Sequence, residues 1–387
     1  MSITQAVIVC GGYGKRLGKI TLTTPKPLII VKNLTVLEYI IKNLSRFGIK
    51  EILLLCHYRY SMFKKKFHNK IFFGVKTICV KESKLLGSSG ALLNVRKRLE
   101  KNFLFCNGDT FFDINISDLI YHYFKSKKLA FVALKRIKIK ENHDSFILTS
   151  KKLLREDKNQ KSNLVNSGIY ILCKKVLPFL VKQGSLEKSV FKKLIKMKKI
   201  SGKEYLDDFI DMGSVSTLRK LPKFIDKTFI KPALFLDRDG VINKDTGYVF
   251  KKEKFIWRKG IFNFLKKYNN KNYYIFVITN QSGVGRGYYK ENDVIQLHDW
   301  MLKKIRSEGA NIDKVYFAPY FKNSKIRKYR FQKNLRKPNI GMIEKARREF
   351  SVKIKQSILI GDSETDKKTA IKAKIKYKIL KFDSKLI

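Results

Sequence analysis

Ala233-Leu-Phe-Leu-Asp-Arg-Asp-Gly-Val-Ile-Asn243 reads as a short apolar strand that runs straight into two aspartates spaced two apart. An extended backbone sends residues i and i+2 to the same side, so Asp237 and Asp239 would face one space beyond the strand's end. One carboxylate there can attack phosphorus while the other manages a proton. Alone, an Asp-x-Asp pair is equally a metal site or a loop pair. Its companions narrow the choice: Thr279 ends the apolar run 274–279, Lys337 sits in Arg336-Lys-Pro338, and Asp362 closes Ser357-Ile-Leu-Ile-Gly-Asp362, with Asp366 one turn later.

Outward from that stretch, short runs rich in β-branched residues alternate with helical patterns. The runs are 6–10, 52–56, 103–106, 130–134 and 169–172, then 233–236, 274–279, 315–317 and 357–360. Strands spaced by helices argue for α/β layers with mostly parallel sheets. A chain of 387 residues exceeds one ordinary core. Between Ser214 and Pro232 it turns polar and carries Pro222 and Pro232, which places a boundary near residue 228 and gives two domains, 1–228 and 229–387.

In the first domain, Val9-Cys-Gly-Gly-Tyr-Gly-Lys-Arg-Leu17 follows a strand. The missing side chains of Gly11, Gly12 and Gly14 would let backbone N–H groups approach phosphate oxygens, with Lys15 and Arg16 adding charge. Leu17 stands where a G-x-G-x-x-G turn needs its third glycine, and the spacing is not that of a P-loop. A plain strand-to-helix turn is the competing reading. For Lys26 the competing reading is an exposed turn lysine between prolines. For Asp109 it is a cap after a strand.

Thr24-Pro-Lys-Pro-Leu28, Leu86-Gly-Ser-Ser-Gly-Ala-Leu92, Asn107-Gly-Asp109, Asn166-Ser-Gly-Ile-Tyr170 and Phe209-Ile-Asp-Met-Gly213 follow in an order that resembles the nucleotidyltransferases joining a sugar 1-phosphate to a nucleoside triphosphate. The resemblance implies a Rossmann-like, GT-A-like mixed sheet. It implies that the loop from Gly11 to Arg16 wraps the triphosphate, that Lys26 contacts phosphate, and that Gly87 and Gly90 frame the base, with Asn107 and Asn166 binding substrate. Asp109 and Asp211 would hold Mg2+ as the sugar phosphate attacks the α-phosphorus. The family's Glu-Lys-Pro is matched only by Glu156-Asp-Lys158-Asn, so Glu156 and Lys158 stand in for its sugar and phosphate ligands.

In the second domain, the order Asp-x-Asp, Thr, Lys, Gly-Asp resembles the haloacid dehalogenase superfamily of phosphatases and implies its Rossmannoid fold. Asp237 would form an aspartyl-phosphate and Asp239 would act as acid and base. Thr279 would donate to phosphoryl oxygens and Lys337 would balance charge. Asp362 with Asp237 and Asp239 would bind Mg2+, and Asp366 would support that site from behind. Gly247-Tyr248, Thr279-Asn-Gln-Ser-Gly-Val-Gly-Arg-Gly-Tyr288 and Arg336-Lys-Pro338 further resemble the bacterial heptose 1,7-bisphosphate phosphatases and the histidinol-phosphate phosphatases. That implies substrate contacts from Asn280, Gln281, Ser282, Arg286 and Arg336, the last a fork for the distal phosphate. The zinc loop of that family is replaced by Ala318-Pro-Tyr320 and Lys333-Asn-Leu335, so no zinc is expected. His298 is expected to pack or to lie on a helix surface.

The formal charge of +52, from 84 Lys+Arg against 32 Asp+Glu, is spread along the chain without a basic tail. It suits anionic substrates, with polyanion binding as the competing reading and no specific nucleic acid implied. Five cysteines without a Cys-x-x-Cys pair, together with no signal-like or membrane-length apolar run, lead to the expectation of a soluble cytoplasmic protein without membrane attachment. The two resemblances together imply a bifunctional enzyme. It would dephosphorylate D-glycero-D-manno-heptose 1,7-bisphosphate at position 7 and couple heptose 1-phosphate to a nucleoside triphosphate, GTP favoured, toward surface polysaccharide. A hexose 1-phosphate enzyme fused to an unrelated small phosphatase is the alternative. The sequence leaves room for a homo-oligomer.

Overall fold

The computed structural model describes residues 2–137, 145–149, 153–157, 162–331 and 334–380. The chain divides into two compact units, Met1–Phe224 and Ile225–Ile387. The division falls inside the helix Val215–Phe229, in the stretch whose polarity and prolines suggest a linker. Leu221, Ile225 and Phe229 recur at helical spacing and are buried. Their burial sustains the helix through Pro222, which gives up one backbone donor without ending it.

The first unit is built on an eight-stranded sheet. In chain order its strands are β1 (Gln5–Val9), β2 (Glu51–Cys56), β3 (Lys70–Phe72), β4 (Val75–Lys81), β5 (Asn102–Asn107), β6 (Ala130–Arg136), β7 (Leu164–Cys173) and β8 (Ile200–Tyr205). They lie side by side as β8-β6-β7-β5-β1-β2-β4-β3. The sheet is mixed: β7 runs antiparallel to β5 and β6, and β3 antiparallel to β4, while the other pairings are parallel. Strands β3, β4 and β8 lie outside the apolar runs legible in the sequence. Lysines interrupt them, because β4 alternates buried and open positions instead of burying both faces. The pairing of β7 with β6 slips between Asn166 and Tyr170, a bulge that re-aims the side chains there.

The second unit has a five-stranded, all-parallel sheet: β9 (Ala233–Leu236), β10 (Tyr274–Asn280), β11 (Lys314–Ala318), β12 (Ile358–Gly361) and β13 (Lys376–Ile379). The order is β11-β10-β9-β12-β13. Both faces are covered. Leu234 and Leu236 enter one core cluster, and Ala233 and Phe235 enter the other. Central β9 therefore delivers Asp237 to the carboxyl end of the sheet, where open α/β sheets gather ligands. Among the described residues no helix is long and apolar enough to cross a membrane.

Candidate active sites

At the end of β9 the backbone of Asp237 is tied to β12, its N–H donating to Ile360 O at 3.0 Å. The chain then turns sharply: the N–H groups of Val241, Ile242 and Asn243 all donate to Arg238 O. Gly240 makes that turn at φ 79°, and a side chain there would land on the Asp362 carboxylate. The four groups Asp237, Thr279, Lys337 and Asp362 line one cavity of about 300 Å³, together with Asp239, Tyr248, Asn280, Gln281 and Ser282.

Lys337, 3% exposed, stands between two acids. Its Nζ lies 2.8 Å from Asp237 Oδ2 and 2.6 Å from Asp366 Oδ1. Burial would lower the ammonium's pKa, but the Asp237 and Asp366 charges prevail and hold it up. Burial raises Asp237 to about 7, against the pull of Lys337. Asp362 is raised by burial and then by Asp366. Oxygens of Asp237, Asp362 and Asp366 all lie within 4.8 Å of one another. Three carboxyl groups around one ammonium form an all-oxygen donor set of the kind that fits a hard divalent cation, whose charge would favour their ionised forms.

Asp366 and Asp239 are both engaged by neighbours. Asp366, fully buried, has Oδ1 on Lys337 Nζ and Oδ2 accepting from the N–H and Oγ of Ser363; Asp239, which lines the cavity, has its carboxylate held by three residues. Arg238 donates from Nε and Nη2, Asn243 Nδ2 reaches Oδ1 at 2.9 Å, and Gln281 Nε2 reaches Oδ2 at 3.0 Å. Gln281 also donates to Thr279 Oγ1 and accepts from Tyr289 Oη, so its amide braces the site from within. Asn280 clamps the backbone of Lys337: its Nδ2 donates to Lys337 O and its Oδ1 accepts from Lys337 N. Two residues expected to touch substrate thus hold catalytic candidates in place. Ser282 opens the short helix Ser282–Arg286. The Arg286 guanidinium lies 3.7 Å over the Phe321 ring, and Arg336 donates to Tyr320 O. Burial, then the Arg286 charge, lowers Arg336.

In the first unit, β1 and β5 lie side by side and end together, and Gly108 N donates to Val9 O at 2.9 Å. Val9, Gly12, Gly14, Lys26, Asn107 and Asp109 share a cavity of about 240 Å³. Lys26, 6% exposed, puts Nζ 3.2 Å from Asp109 Oδ2, so it is no exposed turn lysine. Gly14 takes φ 70°, and a Cβ there would come 3.0 Å from Lys26 Cγ. The strand Phe209–Asp211 pairs with Thr110–Phe112, and Met212 N donates to Asp109 O, which brings Asp211 alongside Asp109. Arg16 lies over Gly213, where a Cβ would sit 3.0 Å from Nη1. The loop and two acidic motifs far apart in sequence thus converge.

Other expected residues are placed differently. Gly87 and Gly90 are needed because the backbone of residues 182–184 presses on them; a Cβ on Gly87 would lie 2.5 Å from Gly184 O. Asn166 is engaged within the protein, with Nδ2 donating to Tyr170 Oη and Glu187 Oε1 and Oδ1 accepting from Gly168 N. Glu156 ends a two-stranded hairpin opposite Phe146, away from the cavity's lining, and Lys158 lies outside the described residues. Glu82 carries no signal in the sequence, flanked as it is by lysines. It is 2% exposed, and its Oε1 has no hydrogen-bond partner. That oxygen would lie 3.3 Å from a Cβ on Gly11, directly beside the glycine-rich loop.

Residues 5–228 match the nucleotidyl transferase family, and residues 226–383 match the polynucleotide kinase 3 phosphatase family. The D-glycero-alpha-D-manno-heptose-1,7-bisphosphate 7-phosphatase of Burkholderia mallei is 48% identical over 134 residues, 35% of this chain and 71% of that protein. The D-glycero-beta-D-manno-heptose-1,7-bisphosphate 7-phosphatase of Helicobacter pylori is 40% identical over 149 residues, 38% of this chain and 82% of that protein. Among solved structures, HddC from Yersinia pseudotuberculosis gives a TM-score of 0.50 at 22% identity, over 57% of this chain and 99% of that one. A putative glucose-1-phosphate thymidylyltransferase from Bacillus anthracis gives 0.52 at 19% identity, over 57% and 94%. At those identities the structural likeness establishes a shared fold.

Proposed function

The chain belongs to the nucleotidyl transferase family through residues 5–228 and to the heptose-1,7-bisphosphate 7-phosphatases through its second unit, and from that premise we propose one enzyme with two consecutive reactions. The phosphatase removes the 7-phosphate of D-glycero-D-manno-heptose 1,7-bisphosphate. The nucleotidyltransferase then joins the heptose 1-phosphate to GTP and releases pyrophosphate. The product of the first site is the acceptor of the second.

The observation that carries the phosphatase reading is Lys337 held between Asp237 and Asp366 at the mouth of β9. Asp237 attacks the 7-phosphorus and the bond to the sugar oxygen breaks, that oxygen taking a proton from Asp239. Water, deprotonated by Asp239, then releases phosphate from the aspartyl-phosphate. Lys337 and Thr279 face the phosphoryl oxygens. Mg2+ held by Asp237, Asp362 and Asp366 would screen their charge. Arg286 and Arg336 would hold the 1-phosphate, which selects a bisphosphate.

In the first unit, Lys26 and Arg16 bind the triphosphate, and Asp109 with Asp211 would hold Mg2+. An oxygen of the sugar phosphate forms the new bond to the α-phosphorus as the bond to the β-phosphate oxygen breaks. Glu82 supports GTP. A buried carboxylate with a free oxygen calls for donors, and guanine offers two adjacent ones, N1–H and the 2-amino group, on one edge. Uracil and thymine offer one donor between two acceptors, and adenine and cytosine an amino group beside an acceptor.

Mass spectrometry of the full chain with Mg2+, the heptose bisphosphate and all four nucleoside triphosphates should show phosphate release followed by GDP-heptose. Conversion of a hexose phosphate or a 3′-phosphorylated oligonucleotide in its place would overturn the heptose assignment.

A further inference from the structure

The phosphatase reaction as described uses Asp239 but leaves a buried histidine behind it unexplained. Arg238 lies between the two acids of the Asp-x-Asp pair in sequence, and its side chain is 0% exposed. Its Nε and Nη2 both donate to the Asp239 carboxylate, at 3.1 Å and 2.7–2.9 Å. Nη2 also donates to Val249 O at 2.7 Å. The remaining arm, Nη1, meets His298 Nε2 at 3.1 Å, from the helix Glu291–Ser307. A guanidinium can only donate, so His298 accepts at Nε2 and carries its proton on Nδ1. Burial, reinforced by the Arg238 charge, keeps the imidazole neutral and able to accept. The fork therefore reaches Asp239 from a fixed direction because both ends of Nη1 and Nη2 are anchored, one by His298 and one by Val249.

We propose that His298 is a positioning residue for the phosphatase: through Arg238 it fixes the orientation of Asp239, the group that protonates the leaving oxygen. This rests on the proposed role of Asp239. Asp239 is 20% exposed at the cavity, so its orientation bears on the reacting atoms, while His298 reaches none of them. Loss of His298 leaves a buried guanidinium N–H without an acceptor, and the fork can relax away from the carboxylate.

The test separates substrates by leaving group. A sugar alkoxide must be protonated as it departs; p-nitrophenolate departs without help. In the full chain with Mg2+, His298→Leu should lower kcat/KM on the heptose bisphosphate roughly 10- to 100-fold, part of what general-acid catalysis supplies. The kcat/KM of p-nitrophenyl phosphate, which covers the steps up to departure of p-nitrophenolate and not the later hydrolysis that Asp239 also assists, should stay close to that of the unaltered enzyme. His298→Gln, which keeps an acceptor, should restore most of the loss. Equal losses of kcat/KM on both substrates, or full activity in a folded His298→Leu protein, would overturn the proposal. Asp239→Asn is the control: if it too lacks the leaving-group difference, the role of Asp239 fails, and if it alone shows it, only the role of His298 fails.

Discussion

A side chain on Gly240 would occupy the position of the Asp362 carboxylate, so the turn after β9 and the far end of β12 are fitted to each other with no spare volume. Gly240 also holds φ 79°, a conformation that costs a residue with a Cβ about 1–2 kcal/mol. Gly240→Ala should abolish phosphate release and weaken Mg2+ binding, measured by titration calorimetry, while pyrophosphate release from the first unit continues. Retained phosphatase activity would contradict the fit.

Lys337 places its ammonium between Asp237 and Asp366. Lys337→Met leaves those acids facing each other without the ammonium, a change that costs about 3–5 kcal/mol when one partner of a buried pair is removed. Phosphatase turnover should fall by about 10²–10³ or more, as when a preorganised electrostatic group is lost. Chemical denaturation followed by fluorescence, with parallel assays of both reactions, checks both numbers.

Glu82→Gln should raise KM for GTP by roughly 10- to 100-fold, the value of about 1.5–3 kcal/mol for hydrogen bonds to a charged group, and narrow the preference over the other triphosphates. Burial raises the Glu82 carboxyl above 4.5, with the Leu86 N–H opposing. Stability from such a group is fully present below its unfolded value and is lost as pH rises through the folded one. Glu82→Gln should therefore melt no lower than the parent at pH 8. A lower melting temperature there with unchanged KM would make Glu82 a purely structural residue.

His298 is held well below its usual 6.5 by burial and by Arg238. The unfolded chain takes up a proton below about 6.5 that the folded protein refuses, so stability falls with acid, by at most about 1.4 kcal/mol per pH unit for one such group. Melting curves of the phosphatase transition between pH 7 and 5 should slope downward in the parent and less steeply in His298→Gln. Equal slopes would show that the imidazole does not titrate on unfolding.

Tyr170 Oη bridges Asn166 and Glu187 from a fully buried ring. Tyr170→Phe removes that bridge and should cost about 1–3 kcal/mol, because Glu187 and Asn166 lose a buried partner. If Asn166 serves the sugar phosphate, KM for heptose 1-phosphate should rise while KM for GTP holds, which steady-state kinetics with each substrate varied will read.

Much of this molecule is legible in its sequence because the decisive features are local. A strand ending in Asp237-Arg-Asp239, a strand ending at Thr279 and a Gly-Asp at 361–362 each state their place within a few residues. Other features escape a sequence reading for a physical reason. Lysines on the open side of β4 hide a strand, and burial sustains a helix through Pro222. Glu82 looks like one more solvated charge among lysines until the fold closes over it. Gln281 and Asn280 stand in a motif that suggests substrate contact, yet their amides are consumed by Asp239, Thr279, Tyr289 and Lys337.

By itself, then, the sequence determined that the chain holds two α/β domains and which residue types are available for phosphate chemistry in each, since strand patterns and short motifs depend on neighbours a few positions apart. Only the tertiary structure decided which of those residues act together. It set Lys337 between Asp237 and Asp366, turned two amides into braces, buried Glu82 with one oxygen unpartnered and put His298 behind Arg238. Those outcomes depend on burial and on hydrogen bonds between residues up to 60 positions apart in sequence, where the protonation state and free lone pairs of a side chain are set by whatever the fold packs against it.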